Sequence, residues 1–164
     1  MKNAHEINEA LYNLDQVEDL KNRFLTFSLD KEVFALRILY VTEIISMQDI
    51  TAFPQNEPYI RGVINLRGKV VAVMDIRRRF GMADVPYNNQ TCIIVLHMES
   101  LFMGVIVDRI SEVIDIPQAS ILPCHDQKKI SGGSFISGFG KIEEKFFHII
   151  DVDKLLEGQL LLRG

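Results

Sequence analysis

The sequence lacks most features by which enzymes, secreted proteins and membrane proteins declare themselves. It has two cysteines, Cys92 and Cys124, in 164 residues, too few for a disulfide framework. Neither belongs to a Cys-x-x-Cys pair, so zinc and dithiol redox chemistry have no ligands. Cys92 opens an apolar run and reads as a small buried hydrophobe. The longest apolar runs, Cys92–Leu96 and Leu101–Val107, fall far short of the ~20 residues that span a bilayer. Lys2, His5, Glu6 and Glu9 stand where a secretory leader would be apolar. A soluble, cytoplasmic protein is expected. Positive charge is scarce as well. Lys and Arg number 18 against 22 Asp and Glu, a net charge of −4, and general nucleic-acid binding needs a basic field.

Catalytic equipment is thin. The four histidines, His5, His97, His125 and His148, form no His-x-x-x-His pair for a metal. His148, between Phe147 and Ile149, reads as a barrel-face residue rather than a base. Cys124 and His125 are chain neighbours, and neighbours rarely present their reactive atoms to each other. Ser131-Gly132-Gly133-Ser134 and Gly138-Phe139-Gly140 resemble phosphate loops in composition only, without a Gly-Lys-Ser/Thr end, and read as flexible loop. Arg77-Arg78-Arg79, with Arg61, Arg67 and Lys69 nearby, is the one basic cluster. It lacks interleaved aromatics, so a solvated helix face or salt-bridging protein surface is expected, with nucleic-acid binding as the outside alternative. No residues assemble into a catalytic, metal or cofactor site.

What is present points to a packed β protein. Hydrophobic residues make up 48% of the chain, too many for a disordered one. Residues 1–23 predict an amphipathic helix or extension: Ile7, Ala10, Leu11, Leu14 and Val17 share a stripe, and Asn3 with Glu6 has the form of a cap. Glu9, Asp15, Glu18 and Asp19 make its other face acidic, and docking of the apolar stripe on the body is expected. Phe24–Leu29 and Val33–Leu39 predict a hairpin around Asp30-Lys31-Glu32. Asn56-Glu57-Pro58 predicts a short helical turn that Gly62 would end. Val63–Leu66 and Val70–Asp75 predict strands joined through Arg67-Gly68-Lys69, with Gly68 at positive φ. Gly81–Asn89 reads as a connector. Cys92–Met98 and Leu101–Val107 predict a hairpin around Glu99-Ser100, and Phe146–Ile150 a late strand. Asp151 can then cap a helix through Leu155 and Leu156. Leu160–Leu162 is an apolar tail.

The chain also repeats itself. Phe24–Pro54 lies over Ile93–Pro123 without a gap, at the offset of 69 that separates Glu43 from Glu112. Val41-Thr42-Glu43-Ile44-Ile45 then meets Ile110-Ser111-Glu112-Val113-Ile114. After an insertion the register resumes, because 13 positions separate Gly62 from Asp75 and also Gly138 from Asp151. Self-similarity of this kind marks a duplicated supersecondary unit, with one copy over 24–80, a connector over 81–92 and a second copy over 93–156 of a domain spanning 24–164. Each copy alone would bury only ~60% of its unfolded surface. The expected product is a pair of small antiparallel barrels sharing a core, with strand exchange between the copies left open.

The stretch Tyr59–Arg77, with Arg61-Gly62-Val63-Ile64-Asn65-Leu66-Arg67-Gly68 at its centre, closely resembles the signature of CheW-like domains. Val41–Ile44, Val107–Val113 and His148–Asp151 match the same pattern, so the resemblance covers roughly Phe24 to Leu156. It implies a mainly β fold of two SH3-like five-stranded barrels, no catalytic activity and no cofactor. It further implies an adaptor that bridges the cytoplasmic tips of chemoreceptors and the regulatory domain of the histidine kinase CheA. Such a protein would be monomeric in isolation and recruited to receptor arrays, meeting the membrane only through the receptors. Carried over by motif, Val41, Glu43 and Arg67 are expected at a receptor groove between the barrels, and Arg61, Gly62 and Asn65 on the kinase side, with Gly68 in the same signature. Glu43 in an apolar strand should face solvent or a partner cation. Arg67 at a turn tip can offer a planar donor fork. A groove of this kind takes a helix through i, i+3, i+4 and i+7 contacts. With neither a receiver domain nor a kinase ATP-binding region in the sequence, the resemblance is to the single-domain coupler rather than a CheV-like fusion. An adaptor for another sensory or motility pathway with its own kinase is the alternative of the same class.

Overall fold

β-branched and aromatic residues dominate the segments between left-handed turn tips, and these segments are strands. The computed structural model describes residues 4–12, 20–52, 57–124 and 132–159. In chain order the elements are α1 (Ala4–Tyr12), β1 (Arg23–Leu29), β2 (Glu32–Arg37), β3 (Val41–Ser46), β4 (Ile60–Leu66), β5 (Lys69–Asp75) and α2 (Ile76–Arg79). The second half holds β6 (Cys92–Met98), β7 (Leu101–Val107), β8 (Arg109–Asp115), β9 (Ile121–Pro123), β10 (Ile136–Ile142), β11 (Lys145–Ile150) and α3 (Val152–Leu155). Asp75 and Asp151 each accept a backbone N–H at the start of the short helix that follows.

The strands form two sheets, ordered β8-β1-β2-β11-β10-β9 and β3-β6-β7-β5-β4, which are the two SH3-like subdomains. Neither belongs to one repeat. The first hairpin of each copy pairs with the later strands of the other. β1 and β2 sit with β8 through β11, and β6 and β7 sit with β3 through β5. The copies have exchanged hairpins, because the single 3-10 turn Ile38–Tyr40 carries the chain straight from one sheet to the other. Two features depart from the expected plain antiparallel five-stranded barrels. One sheet has six strands, and the junctions β2–β11 and β5–β7 are parallel.

The repeat register survives in the backbone. Asp30 and Glu99 open the two first hairpin turns at the same φ of 56°, and Arg67 and Glu143 open the two later ones at 52° and 56°. Matching register shifts occur at Ile60/Gly62 and Ile136/Gly138. Gly62 therefore does not end a helical turn as expected. It sits inside β4 at a bulge with φ +147°, where a Cβ would stand 2.2 Å from the Thr51 carbonyl oxygen. Gly138-Phe139-Gly140 is not flexible loop either but the middle of β10. A Cβ on Gly138 would meet the Leu122 carbonyl oxygen at 2.6 Å, so the glycines admit β9 at close range.

Three apolar clusters follow from strand alternation. Ile64, Val71, Val73, Ile93, Val95 and Ile106 fill one barrel, and Phe24, Ala35, Ile116, Phe147 and Ile149 fill the other. The shared core between them takes the opposite parity, with Leu25, Phe27 and Leu36 against Ile44, Ile94 and Leu96. Central strands such as β6 are thus buried on both faces, which is why Cys92–Leu96 reads as unbroken apolar sequence. Burial pushes the Cys92 thiol up to about 12, as expected of a structural cysteine.

The described part of the N-terminal helix, Ala4–Tyr12, is docked, with Ile7 fully buried in the shared core. Asn3, Leu14, Asp15, Val17, Glu18 and Asp19 lie outside the described residues, as do Asn56, His125, Ser131 and Leu160–Leu162.

Candidate partner-docking site

Glu43 and Arg67 lie at opposite edges of the five-stranded sheet, on β3 and on the β4–β5 turn, yet their side chains form an ion pair. That pair closes the sheet on itself. Glu43 shares its strand face with Ile45 and Met47, which pack into the barrel interior. Its carboxylate is therefore largely covered, 19% exposed, while the Arg67 side chain above it is 71% exposed. The expected partner cation of Glu43 is thus first supplied within the chain. Val41, two residues earlier, is half-buried against the shared core.

The remaining signature residues act mostly on the backbone. Asn65 Oδ1 accepts the Gly68 N–H at 2.8 Å, and Gly68 has φ +85°. Both positions of the two-residue turn are left-handed, the geometry that matches strand twist, and this holds the Arg67 fork at the tip. At Gly62 the missing side chain lets Thr51 bridge Val63 through two 2.9 Å hydrogen bonds. Arg61 is near the other end of β4, about 20 Å from Arg67 at ~3.3 Å per residue. Its guanidinium lies over the Tyr87 ring at 5.7 Å. Arg61 and Arg67 thus stand near opposite ends of β4.

The arginine triplet is not the solvated face expected. Arg77 is buried, and its guanidinium binds Asp108 (Nε to Oδ1 2.8 Å), Asp30 and the Ala83 carbonyl (3.0 Å). Arg78 grips Asp84 through two 3.1 Å bonds. Arg79 donates to the carbonyls of Leu155, Lys154 and Glu157 and lies over Tyr59 and Phe135. All three guanidiniums are committed inside the protein. The reading as a salt-bridging cluster holds, with partners in the chain itself. Asp30, Asp108 and Tyr87 are the residues that sequence reasoning missed here. The signal for Asp30 and Asp108 was weak, one acidic residue at each of two strand ends, and Tyr87 in the connector had none.

Arg77, Asp30 and Asp108 line a cleft of about 540 Å³ with Tyr87, Pro86 and Thr91. Tyr87 donates to Asp75 at 2.8 Å, and burial followed by that bond pushes its hydroxyl up to about 12. Hydrogen bonding to Asp108 drives Arg77 further above its ordinary value. Both shifts lead away from neutrality, so the cleft offers ion pairing rather than proton transfer. Among the described residues no three His, Cys, Asp or Glu side chains converge as a metal site.

Two exposed apolar side chains stand one repeat apart. Val70 on β5 is 69% exposed and Phe146 on β11 is 55% exposed, so each barrel shows an apolar residue beside its turn.

His148 packs tilted against Phe34, with ring centroids 4.9 Å apart, and meets Phe139 edge-on. Its Nδ1 stands 3.9 Å from Glu32 Oε2. Burial pushes the imidazole below its ordinary value of 6.5, against the pull of Glu32. The folded state thus binds this proton less readily than the unfolded chain. The stability held by neutral His148 is full above that ordinary value and is lost as pH falls through the lower folded value. His148→Phe should flatten the loss of Tm between pH 7 and pH 5 relative to the parent. An identical pH profile in parent and variant would contradict this.

The CheW-like domain model matches residues 23–159. The chain is 30% identical over 142 residues to the chemotaxis protein CheW of Klebsiella aerogenes, covering 87% of this chain and 86% of that one. It is 30% identical over 135 residues to the chemotaxis protein CheW of Bacillus subtilis, covering 82% and 86%. The crystal structure of the scaffolding protein TtCheW from Thermoanaerobacter tengcongensis aligns with a TM-score of 0.76 at 34% identity, over 83% of this chain and 92% of that one.

Proposed function

The chain belongs to the CheW-like family and is a non-catalytic chemotaxis coupling scaffold, and from that premise we propose that it joins a chemoreceptor cytoplasmic tip to the regulatory domain of the histidine kinase CheA. The observation that carries the reading is the Glu43–Arg67 pair, which puts a well-exposed guanidinium at the barrel edge. Val41, Glu43 and Arg67 form the receptor side. The edge strands β3 and β8, each paired on one side only, border the groove between the barrels. Arg61 forms the kinase side, about 20 Å away along β4, where Gly62 shapes the strand. Asn65 and Gly68 act at one remove, by setting the turn that aims Arg67. Separate faces let one rigid body hold two partners at once. No helix among the described residues is long and apolar enough to cross a membrane. Contact with receptor arrays would run through the receptors.

The test is co-sedimentation of this protein with a receptor-tip fragment and with the isolated regulatory domain. Glu43→Lys should cost about 1–3 kcal/mol in stability, since its site is largely covered, and weaken receptor binding at least about tenfold, because two cations then face each other where one carboxylate balanced the fork. The charge-swapped Glu43→Arg/Arg67→Glu protein rebuilds the pair without restoring the presented guanidinium, so receptor binding should stay weak. Normal melting with unchanged binding of both partners would remove Glu43 from the site.

A further inference from the structure

Helix α1 precedes the stretch that the family model matches, which begins at residue 23. It is nonetheless built into the centre of the molecule. It packs along β3 and also touches β8, edge strands of the two different sheets. Ala4, Ile7, Asn8 and Leu11 turn to the body, with Ile7 fully buried and the others partly so. Their spacing is i, i+3, i+4 and i+7, the pattern with which an amphipathic helix fills a groove. His5 and Glu9 pair at 3.2 Å on the solvent face.

The polar member of the stripe makes the seat specific. Asn8 Nδ2 donates to the Ile44 carbonyl at 2.9 Å, and Asn8 Oδ1 accepts the Ile44 N–H at 2.9 Å. One carboxamide thus satisfies both backbone groups that β3 turns outward at its centre, as a neighbouring strand would. Ile44 lies between Glu43, of the Arg67 pair, and Ile45. The helix therefore covers the strand that carries the receptor side of the site.

We propose that α1 is an intramolecular occupant of the inter-barrel groove, competing with the receptor helix for β3 and β8. This rests on the receptor assignment made above. The described turns of α1 owe their place to docking, through buried Ile7 and the Asn8 hydrogen bonds, since most helical stability in proteins comes from packing of an amphipathic face, and α1 can be given up without unfolding either barrel. A groove closed in this way binds with an apparent Kd equal to its intrinsic Kd divided by the fraction of open molecules.

Two variants of the full chain test this. Asn8→Ala removes both hydrogen bonds to Ile44 and leaves the shared core intact. Ile7→Ser removes the buried anchor, and its melting curve reports whether the barrels stay folded. Titration with a soluble helical-hairpin fragment of a receptor tip should show at least about threefold tighter binding for Asn8→Ala than for the parent. Binding of the kinase regulatory domain should be unchanged. In the parent, amide hydrogens of residues 4–12 should exchange faster once the fragment is bound, while the Ile44 amide stays protected. Equal or weaker receptor binding by Asn8→Ala, with protection of α1 kept or raised in the complex, would overturn the proposal and make α1 part of the receptor's seat. If parent and variants all ignore the receptor fragment while binding the kinase domain, the receptor assignment fails and the competition falls with it.

Discussion

Replacing Arg77 by Met is expected to lower the unfolding free energy by about 2–4 kcal/mol, slightly under the usual loss on breaking a buried ion pair, because Asp30 is 59% exposed and keeps its water. For a chain of this size that is a fall in Tm of roughly 5–15 °C. The reason is where the partners sit. Asp30 is the tip of β1–β2 in the six-stranded sheet, and Asp108 is the link between β7 and β8, which lie in different sheets. Arg77 follows β5 in the five-stranded sheet and also holds the connector through the Ala83 carbonyl. One guanidinium therefore ties both barrels and the segment joining the repeats. Its loss leaves Asp108, 26% exposed, without its main counter-charge. Arg77→Met with Asp108→Leu removes the orphaned charge and should recover part of the loss, since an apolar pair of similar volume often matches a buried ion pair. Urea unfolding of the three proteins measures both effects. A Tm within a degree or two of the parent for Arg77→Met would show that the cluster carries no net stability.

This cluster also makes the two halves unequal. One repeat from Asp30, Arg77 and Asp108 lie Glu99, Asp153 and Leu39, which cannot form the same triad. The pseudo-symmetric fold thus has one ion-paired junction and one without it. On the proposed reading, a scaffold holding two different partners gains from such an asymmetry, because the cluster ties the barrels in one relative orientation.

Gly62→Ala should cost about 3 kcal/mol or more, combining the 1–3 kcal/mol of a forced backbone conformation with a clash against main chain. The new Cβ would lie 2.2 Å from the Thr51 oxygen and 2.8 Å from its carbon, so β4 must pull away from residue 51 and lose the paired 2.9 Å bonds between Thr51 and Val63. Gly68→Ala is the matched control. Its Cβ meets nothing within 4 Å, and only its φ of +85° is strained, so about 1 kcal/mol is expected. Chemical denaturation of both variants checks the ranking. Equal losses would mean that the close approach at Gly62 relaxes at little cost. Gly62 lies in the signature that resemblance assigned to kinase contact. Any binding defect of Gly62→Ala should therefore scale with its loss of structure, whereas Arg61→Ala should weaken binding in a protein that melts normally.

Both first hairpins, the aspartate caps at Asp75 and Asp151, and the left-handed Gly68 were legible in the sequence, because each depends on residues adjacent in the chain. β10 was not, since Gly138 and Gly140 dilute its strand signal. Those glycines answer to the Leu122 backbone and the Ile116 side chain, which must come close, and no local pattern reports a neighbour brought in by the fold. The repeat itself held the missing clue, because Gly138 falls on Gly62 of β4. The sequence left Arg77 between a solvated face and a salt-bridging surface for the same reason, its carboxylates being 47 and 31 positions away.

By itself the sequence determined that the chain is doubled, where three of its hairpins turn, and which family's signature it carries, for all of these are written in spacing and side-chain type. The tertiary structure decided which copy each hairpin joins, that Glu43 meets Arg67 and Arg77 meets two aspartates, and that α1 lies across β3 and β8. Two copies of one pattern offer equivalent local pairings, and only the packing of the whole chain, with its short passages between sheets, selects among them.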